Sequence, residues 1–416
     1  MSLKRVVVTG IGALTPIGNN QNEFWNSLKK GVSGADRISH FDPSLFKTQF
    51  ACELKRFDPL DHFDRKEARK MDPYTQYARV AAAEAVNDAH LLDESINKDR
   101  IGVIIASGIG GIGTFHSAVV DFNEGDGTPR YNPFFIPKMI SDIAAGQISI
   151  EFGFRGPNYA TVSACASSTH AMIDAFNLIR LGKADAILCG GAEAAVTIDG
   201  IGGFNAMKAL STRNDDPKTA SRPFDLDREG FVLGEGSGTL ILEELEHAKA
   251  RGVRIYAEVK GSGMTADAYH LTAPHPDGLG AQNVMNLTLE EAGLKPADID
   301  YINVHGTSTP LGDVAELKAI QAVFGETSYQ LNISSTKSMT GHLLGAAGAI
   351  EGIVAILSIV HNLVPPTINH FTDDPAIDSK LNLTFNKAQE RKIDFALSNT
   401  FGFGGHNACI LFKRFS

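Results

Sequence analysis

The sequence predicts an α/β protein with largely buried sheets, and three observations carry that prediction. Short apolar, β-branched runs alternate with longer Ala- and Leu-rich stretches, the order that gives strands covered by helices on both faces. The second half repeats the pattern of the first: helix 282–292, strand 301–304 and loop 305–310 echo helix 77–89, strand 101–106 and loop 107–113. Likewise strand 331–335 and the helix after Gly341 echo strand 159–164 and the helix that follows it. No disordered linker separates the halves, so they are expected to share one core.

Taken in order, Arg5–Thr9 is a β-branched run that ends in Gly10-Ile-Gly12 and reads as a buried strand feeding a tight turn. Residues 23–30 form a short helix. Residues 61–97 read as mostly helical, because Ala and Leu dominate their centre. Ile101–Ala106 is a continuous apolar strand that breaks into Ser107-Gly-Ile-Gly-Gly-Ile-Gly113. That loop lacks G-x-G-x-x-G spacing, and Asp121, the one acidic partner on offer, follows no strand, so a nucleotide site is discounted. Residues 121–137 read as a Gly/Pro/Asn-rich excursion and 139–152 as a helix. A strand over 159–164 leads into the Ala-rich helix after Cys165. Ala184–Cys189 is a further buried strand, 232–243 a Gly-rich one, and 244–251 a charged helix. Leu343–Val364 is the most apolar long segment. Its Glu351, His361 and Gly/Ala-rich start point to a buried core helix rather than a membrane span.

Composition narrows the function. The chain has 416 residues, enough for a large core or a duplicated domain. A net charge of −10 argues against nucleic-acid binding and opposes an acidic partner unless a local basic patch receives it. Cys52, Cys165, Cys189 and Cys409 form no C-x-x-C and no zinc spacing. Free thiols in a reducing, cytoplasmic setting are expected. The N-terminal segment enters a strand at once and has no signal-peptide core.

The chemistry centres on Tyr159-Ala-Thr-Val-Ser-Ala-Cys165-Ala-Ser-Ser-Thr-His170. A cysteine on a strand-to-helix turn is held exposed, and the helix N-terminus favours its thiolate. A free Cys is more commonly just a small buried residue, so distant residues must decide. His305 opens a Gly/Thr-rich loop after an apolar strand, and His342 follows Lys337-Ser-Met-Thr-Gly341. All three sit at the kind of strand end where α/β folds assemble sites, and a nucleophile and its bases can converge from remote positions. Cys plus His alone would also suit a cysteine hydrolase; the second histidine argues against it.

These stretches resemble the condensing enzymes of type II fatty-acid synthesis, the β-ketoacyl-acyl-carrier-protein synthases. The resemblance rests on 161–168, 303–312, 334–348 and Asn399-Thr-Phe-Gly-Phe-Gly-Gly-His-Asn407, and it spans almost the whole chain. Ser107–Gly113, Leu210-Ser-Thr-Arg213 and Arg222-Pro-Phe-Asp225 resemble the synthase II branch. His406 departs from the family, where Thr is common. The resemblance implies a thiolase-like fold of two similar halves stacked as αβαβα layers. Residues 1–255 would carry the nucleophile and 256–416 the two histidines, usually in a homodimer. It also implies decarboxylative condensation of malonyl-acyl-carrier protein with a Cys-bound acyl chain, with no cofactor, membrane or nucleic acid.

By the same resemblance Cys165 is the nucleophile, His305 and His342 stabilise the enolate, and Lys337 supports them. The backbone N–H groups of Cys165 and Phe403 form the other oxyanion hole. Thr307 and Thr309 would bond the pantetheine arm, or only shape their loop. Phe401 and Phe403 would gate the cysteine, Phe204 would line the substrate site, and Ile109 would limit acyl depth from across a dimer interface. A structural monovalent cation is implied near Asn303, Glu316, Glu351, Ser398 and Asn407. Carrier-protein docking is expected at Arg65, Lys66, Arg69 and Lys70, which share helix faces by i,i+4 spacing, with Arg130, Lys208 and Arg213; a solvated helix face is the plain alternative. Other readings are a ketosynthase of a specialised polyketide or aryl-polyene pathway, and a non-catalytic chain-length partner. Such partners typically lose the cysteine.

Overall fold

The computed structural model describes residues 3–416. Ten strands form one hydrogen-bonded sheet: β1 (Val6–Leu14), β2 (Ile101–Ala106), β3 (Asn158–Tyr159), β4 (Ala186–Glu193), β5 (Gly236–Glu244), β6 (Ala257–Ala266), β7 (Tyr301–Asn303), β8 (Asn332–Ser334), β9 (Phe395–Gly402) and β10 (His406–Arg414). Their order is β8-β7-β9-β10-β6-β1-β5-β4-β2-β3. The halves meet where β1 pairs with β6, through Val6–Val8 and Ala257–Val259 only.

Outward from that junction the two halves are built alike. On one side β1, β5 and β4 pair antiparallel, and β4, β2 and β3 pair parallel. On the other, β6, β10 and β9 pair antiparallel, and β9, β7 and β8 pair parallel. The repeat expected from the sequence is thus a duplicated topology.

Six helices matter for the site: α1 (Pro73–Asp88), α2 (Ile112–Glu124), α3 (Ser167–Arg180), α4 (Leu279–Ala292), α5 (Pro310–Phe324) and α6 (Ala347–His361). α3 and α6 pack against each other between the two half-sheets, with Met172 and Phe176 beside Ile353 and Val354 in one central core. α1 covers the outer face of the first half, where Ile101, Val103 and Ile105 point; Ile104 and Ala106 point to the centre. α4 and α5 cover the outer face of the second half. Layers therefore run αβαβα, and strands buried on both faces explain the near-continuous apolar runs. The duplication extends to backbone contact. A Cβ on Gly10 or Gly12 would lie 2.3 Å from the Ala85 carbonyl oxygen or 1.9 Å from that of Ala81, in α1. One on Gly261 or Gly263 would lie 2.8 Å or 2.5 Å from the Thr288 and Val284 carbonyl oxygens, in α4. Glycine lets each helix rest directly on its strand.

The apolar segment expected inside is inside: Leu344–His361 is long and apolar enough to cross a membrane, but 89% of it is buried within the chain. Several expected elements are shorter or broken. Residues 61–97 are not one helix: a four-residue turn, Arg65–Ala68, is followed by α1, because Asp72 caps Tyr74 N–H and Pro73 opens a new helix. The excursion expected at 121–137 begins inside α2, a helix with no buried residue. The helix expected over 139–152 starts at Ile143. The strand expected over 159–164 stops at Tyr159 and gives way to a turn.

Candidate active site

That turn is the site's foundation. Ala164 holds φ at +51°, and α3 begins at Ser167. Ser163 N–H donates to Ser167 Oγ (2.8 Å), whose hydroxyl donates to the Ala164 carbonyl (2.6 Å). Cys165 is pinned at the apex of this knot. Gly402, at the end of β9, packs against it so closely that a Cβ there would lie 2.8 Å from the Ser163 carbonyl oxygen and 3.1 Å from Cys165 N. The next residue, Phe403, brings its backbone N–H toward Cys165 Sγ, where it favours the thiolate.

Two loops of the second half bring imidazoles to the sulfur. His342 is clamped through its backbone: its N–H donates to Val232 (2.8 Å), and its carbonyl accepts from Gly234 (2.9 Å). Phe231 packs edge-on against the ring, and Nε2 lies 3.0 Å from Cys165 Sγ. His305 follows β7. Its N–H and that of Gly306 donate to the two oxygens of buried Glu316, at 2.9 and 2.8 Å. One nitrogen of each histidine and Cys165 Sγ lie within 4.8 Å of one another.

Electrostatics fit neutral histidines. Burial, then the charge of Lys337, holds His305 and His342 well below the ordinary imidazole range. Lys337 is itself buried and ion-paired with buried Glu351. The expectation of a ready thiolate needs correcting. Burial pushes the Cys165 thiol up to about 12, against the lowering by Lys337 and the Phe403 N–H. α3 starts two residues beyond the sulfur, and His342 Nε2 is the ring nitrogen within hydrogen-bond reach of it.

A cavity of about 630 Å³ opens over these groups. Thr307 and Thr309 line it, their hydroxyl oxygens 3.1 Å apart, as do Phe401, Phe403 and Phe204. Ile109 lines the cavity of its own chain. His406 is exposed, with its ring over Gly404.

The expected docking residues separate. Lys208 alone of them lines the cavity. Lys66 lies in the four-residue turn, Arg69 caps it, and Lys70 is beyond it, so the i,i+4 faces do not form. Arg130 is exposed and paired with Asp126 at 3.0 Å, and Arg213 Nε donates to Thr219 (3.0 Å). In the expected cation set, Asn303 Oδ1, Glu351 Oε2 and Ser398 Oγ are buried without partners among the described residues. Asn407 instead donates to Asp267 (2.8 Å), and Asn399, not anticipated, offers another unpartnered buried oxygen. Sequence reading also missed Glu193 and Phe231. A carboxylate ending the otherwise apolar strand β4 was the available signal for Glu193; nothing local marked Phe231.

With this geometry in view, the chain can be compared with known proteins. Residues 3–248 match the family described as the β-ketoacyl synthase N-terminal domain, and 256–371 its C-terminal domain. 3-Oxoacyl-[acyl-carrier-protein] synthase 2 of Staphylococcus aureus (strain COL) is 52% identical over 412 residues, covering 99% of each chain. The protein of the same name from Synechocystis is 49% identical over 412 residues, covering 99% of this chain and 98% of that one. A solved type II PKS acyl-carrier protein in complex with its hexaketide-bound ketosynthase matches with a TM-score of 0.91 at 35% identity, covering 99% of this chain and 100% of that one. A duplicated fold that brings one cysteine and two neutral histidines together, and matches of this length and identity, agree: the chain belongs to the β-ketoacyl synthase family.

Proposed function

We propose that the chain is a condensing enzyme of the synthase II type, extending a Cys165-bound fatty acyl chain by two carbons from malonyl-acyl-carrier protein. The observation that carries this is the cluster of Cys165, His305 and His342 at one cavity. In loading, Sγ attacks the acyl thioester of carrier-bound phosphopantetheine. The thiol proton passes to His342 Nε2 and then to the departing pantetheine sulfur. The acyl oxygen is stabilised by the N–H groups of Cys165 and Phe403, the latter already aimed at the sulfur. Malonyl-carrier protein then loses CO₂. The enolate oxygen is held by N–H groups of His305 and His342, which burial keeps neutral. The enolate carbon attacks the acyl carbon, and collapse expels Cys165 to give 3-oxoacyl-carrier protein. Between the two half-reactions His342 exchanges tautomers, taking a solvent proton at Nε2 as Nδ1 releases one, and the Cys165 thiolate expelled in condensation takes its proton from solvent.

Around this centre Lys337 is a positioning residue, Thr307 and Thr309 bond the pantetheine arm, Phe401 gates the cysteine, and Phe204 and Ile109 bound the acyl chain. The carrier protein docks by its acidic face at Lys208, with Lys66, Arg69, Lys70, Arg130 and Arg213 as the outer basic surface. The unpartnered oxygens of Asn303, Glu351, Ser398 and Asn399 suit a monovalent cation of structural role. The chain divides at residues 255 and 256 and acts in the cytoplasm. It works as a homodimer: Phe115, Phe122, Tyr131, Phe134 and Ile136 are exposed on and after α2, an apolar face of the kind that marks an interface. Identity of 52% to a synthase 2 against 35% to a polyketide ketosynthase supports fatty-acid over polyketide chains. Intact Cys165, His305 and His342 count against a non-catalytic partner.

Intact-protein mass after incubation with acyl-carrier proteins, then malonyl-carrier protein, tests the proposal. An acyl mass gain on Cys165, discharged as 3-oxoacyl-carrier protein appears, is expected; Cys165→Ala stays unmodified. Acylation of the Ala variant, or discharge to free acid without extension, would refute it.

A further inference from the structure

Glu193 ends β4 and is fully buried. Its carboxylate accepts four hydrogen bonds, drawn from both halves of the fold. Gly108 N–H (2.8 Å) and Gly345 N–H (2.9 Å) donate to one oxygen; Ser107 Oγ (2.9 Å) and Ile109 N–H (3.2 Å) donate to the other. Ser107 Oγ in turn accepts the N–H of Gly110 (2.9 Å). The residues so gathered face the reaction. Gly108, Ile109 and Leu344 line the same cavity as Cys165, and Gly345 is three positions past His342. The two strapped loops also touch: a Cβ on Gly345 would lie 2.3 Å from Gly108 N and 2.7 Å from Glu193 Oε2. No water is needed to satisfy these donors, and a side chain at either glycine would push the loops apart.

We propose that Glu193 is a positioning residue for acyl-chain selection, fixing the Ile109 wall of the cavity against the backbone that follows His342. This deepens the condensing-enzyme reading and rests on it. The carboxylate is suited to the task because it accepts from four donors at once, which no other side chain of its size does. Glu193→Gln is the informative change. Its single carbonyl oxygen can keep Gly108 and Gly345, and its amide can donate to Ser107 Oγ. The Ile109 N–H then faces an amide and loses its acceptor, so the wall segment is favoured in displaced positions.

The experiment measures kcat/KM for Cys165 acylation by a short and a long acyl-carrier protein, for wild type and Glu193→Gln, with thermal melting of each. A freed wall admits long chains better, so the long-to-short ratio should rise about fivefold, the equivalent of one hydrogen bond. An equal loss for both lengths would make Glu193 merely structural, and an unchanged ratio would also overturn the proposal. If Glu193→Gln does not fold, Ser107→Ala removes one of the four donors and the anchor of Gly110; it should move the ratio in the same direction, and an unmoved ratio there overturns the proposal too. Failure of the wild type to be acylated by either substrate would instead overturn the condensing-enzyme reading.

Discussion

Replacing Lys337 by Met separates stability from chemistry in one protein. Lys337 and Glu351 are ion-paired with side chains only 2% and 3% exposed. Removing the lysine strands a carboxylate in the core, and breaking such a pair costs about 3–5 kcal/mol. A chain of this length melts with an entropy of about 0.9 kcal/mol/K, so Tm should fall by about 3–6 °C. The sign of the pH dependence is fixed by Glu351, which burial already pushes up to about 7. Its ionised form is the one penalised in the fold, and without Lys337 it is penalised more, so the deficit is largest well above pH 7 and is lost as pH falls to about 7. Lys337→Met with Glu351→Gln should recover more than half of the loss. A second readout follows the thiol. Lys337 lowers the Cys165 thiol, so in Lys337→Met the rate of Cys165 alkylation should move to higher pH. A Tm within 1 °C of wild type at pH 8, or an unmoved alkylation profile, would refute the role given to the buried charge.

Three further outcomes are expected. Gly402→Ala places a methyl 2.8 Å from the Ser163 carbonyl oxygen, so it should cut Cys165 acylation at least tenfold with a smaller effect on KM; a kcat within twofold of wild type would show that the turn yields freely. His170, whose Nδ1 meets Ser163 Oγ at 2.6 Å, is lowered to about 4 by burial and then by His406. A folded pKa below the unfolded one gives stability present above pH 6.5 and lost as pH falls toward 4, up to about 3 kcal/mol. Denaturant unfolding should therefore show His170→Gln gaining about 2–3 kcal/mol on wild type between pH 7 and 4.5, whereas a constant difference would contradict the assignment. Because Lys208 lines the cavity and Arg130 already has a partner, Lys208→Glu should raise KM for carrier-protein substrates about tenfold at low salt, and Arg130→Glu much less. Lys66→Glu with Lys70→Glu should also raise KM and weaken its salt dependence, and an unchanged KM would leave docking to Lys208.

What could be read in the sequence follows from what repeats or stands out locally. The strand Ile101–Ala106 and the Ala186–Cys189 part of the strand that runs on to Glu193 are legible because burial on both faces demands an unbroken apolar run. The duplication shows as a recurring order of elements, although the residues differ. Cys165, His305 and His342 stand out because each is a reactive side chain among small ones at a strand end. The thiol's protonation was misjudged because burial, which acts in three dimensions, outweighs a helix terminus that begins only at Ser167. The basic segment after Asp64 looked helical by composition, but Asp72 and Pro73 restart the chain. Glu193 and Phe231 act through contacts made far along the chain, so no spacing pattern announces them.

The duplicated topology explains why the nucleophile and its histidine meet. Cys165 follows β3 and precedes α3; His342 follows β8 and precedes α6. These are equivalent places in the two halves, and α3 and α6 lie side by side in the central layer. Twin loops therefore emerge next to each other, and 3.0 Å separates Sγ from Nε2. The same holds one strand inward, where the Ile109 loop after β2 and the His305 loop after β7 line one cavity. The third pair crosses over. Glu193, ending β4, braces Gly345 of the other half, while Gly402, ending β9, braces the Cys165 turn. The first half thus supplies the nucleophile's loop, one wall and one brace, and the second supplies the two histidine loops and the other brace, so neither half alone would contain a complete site.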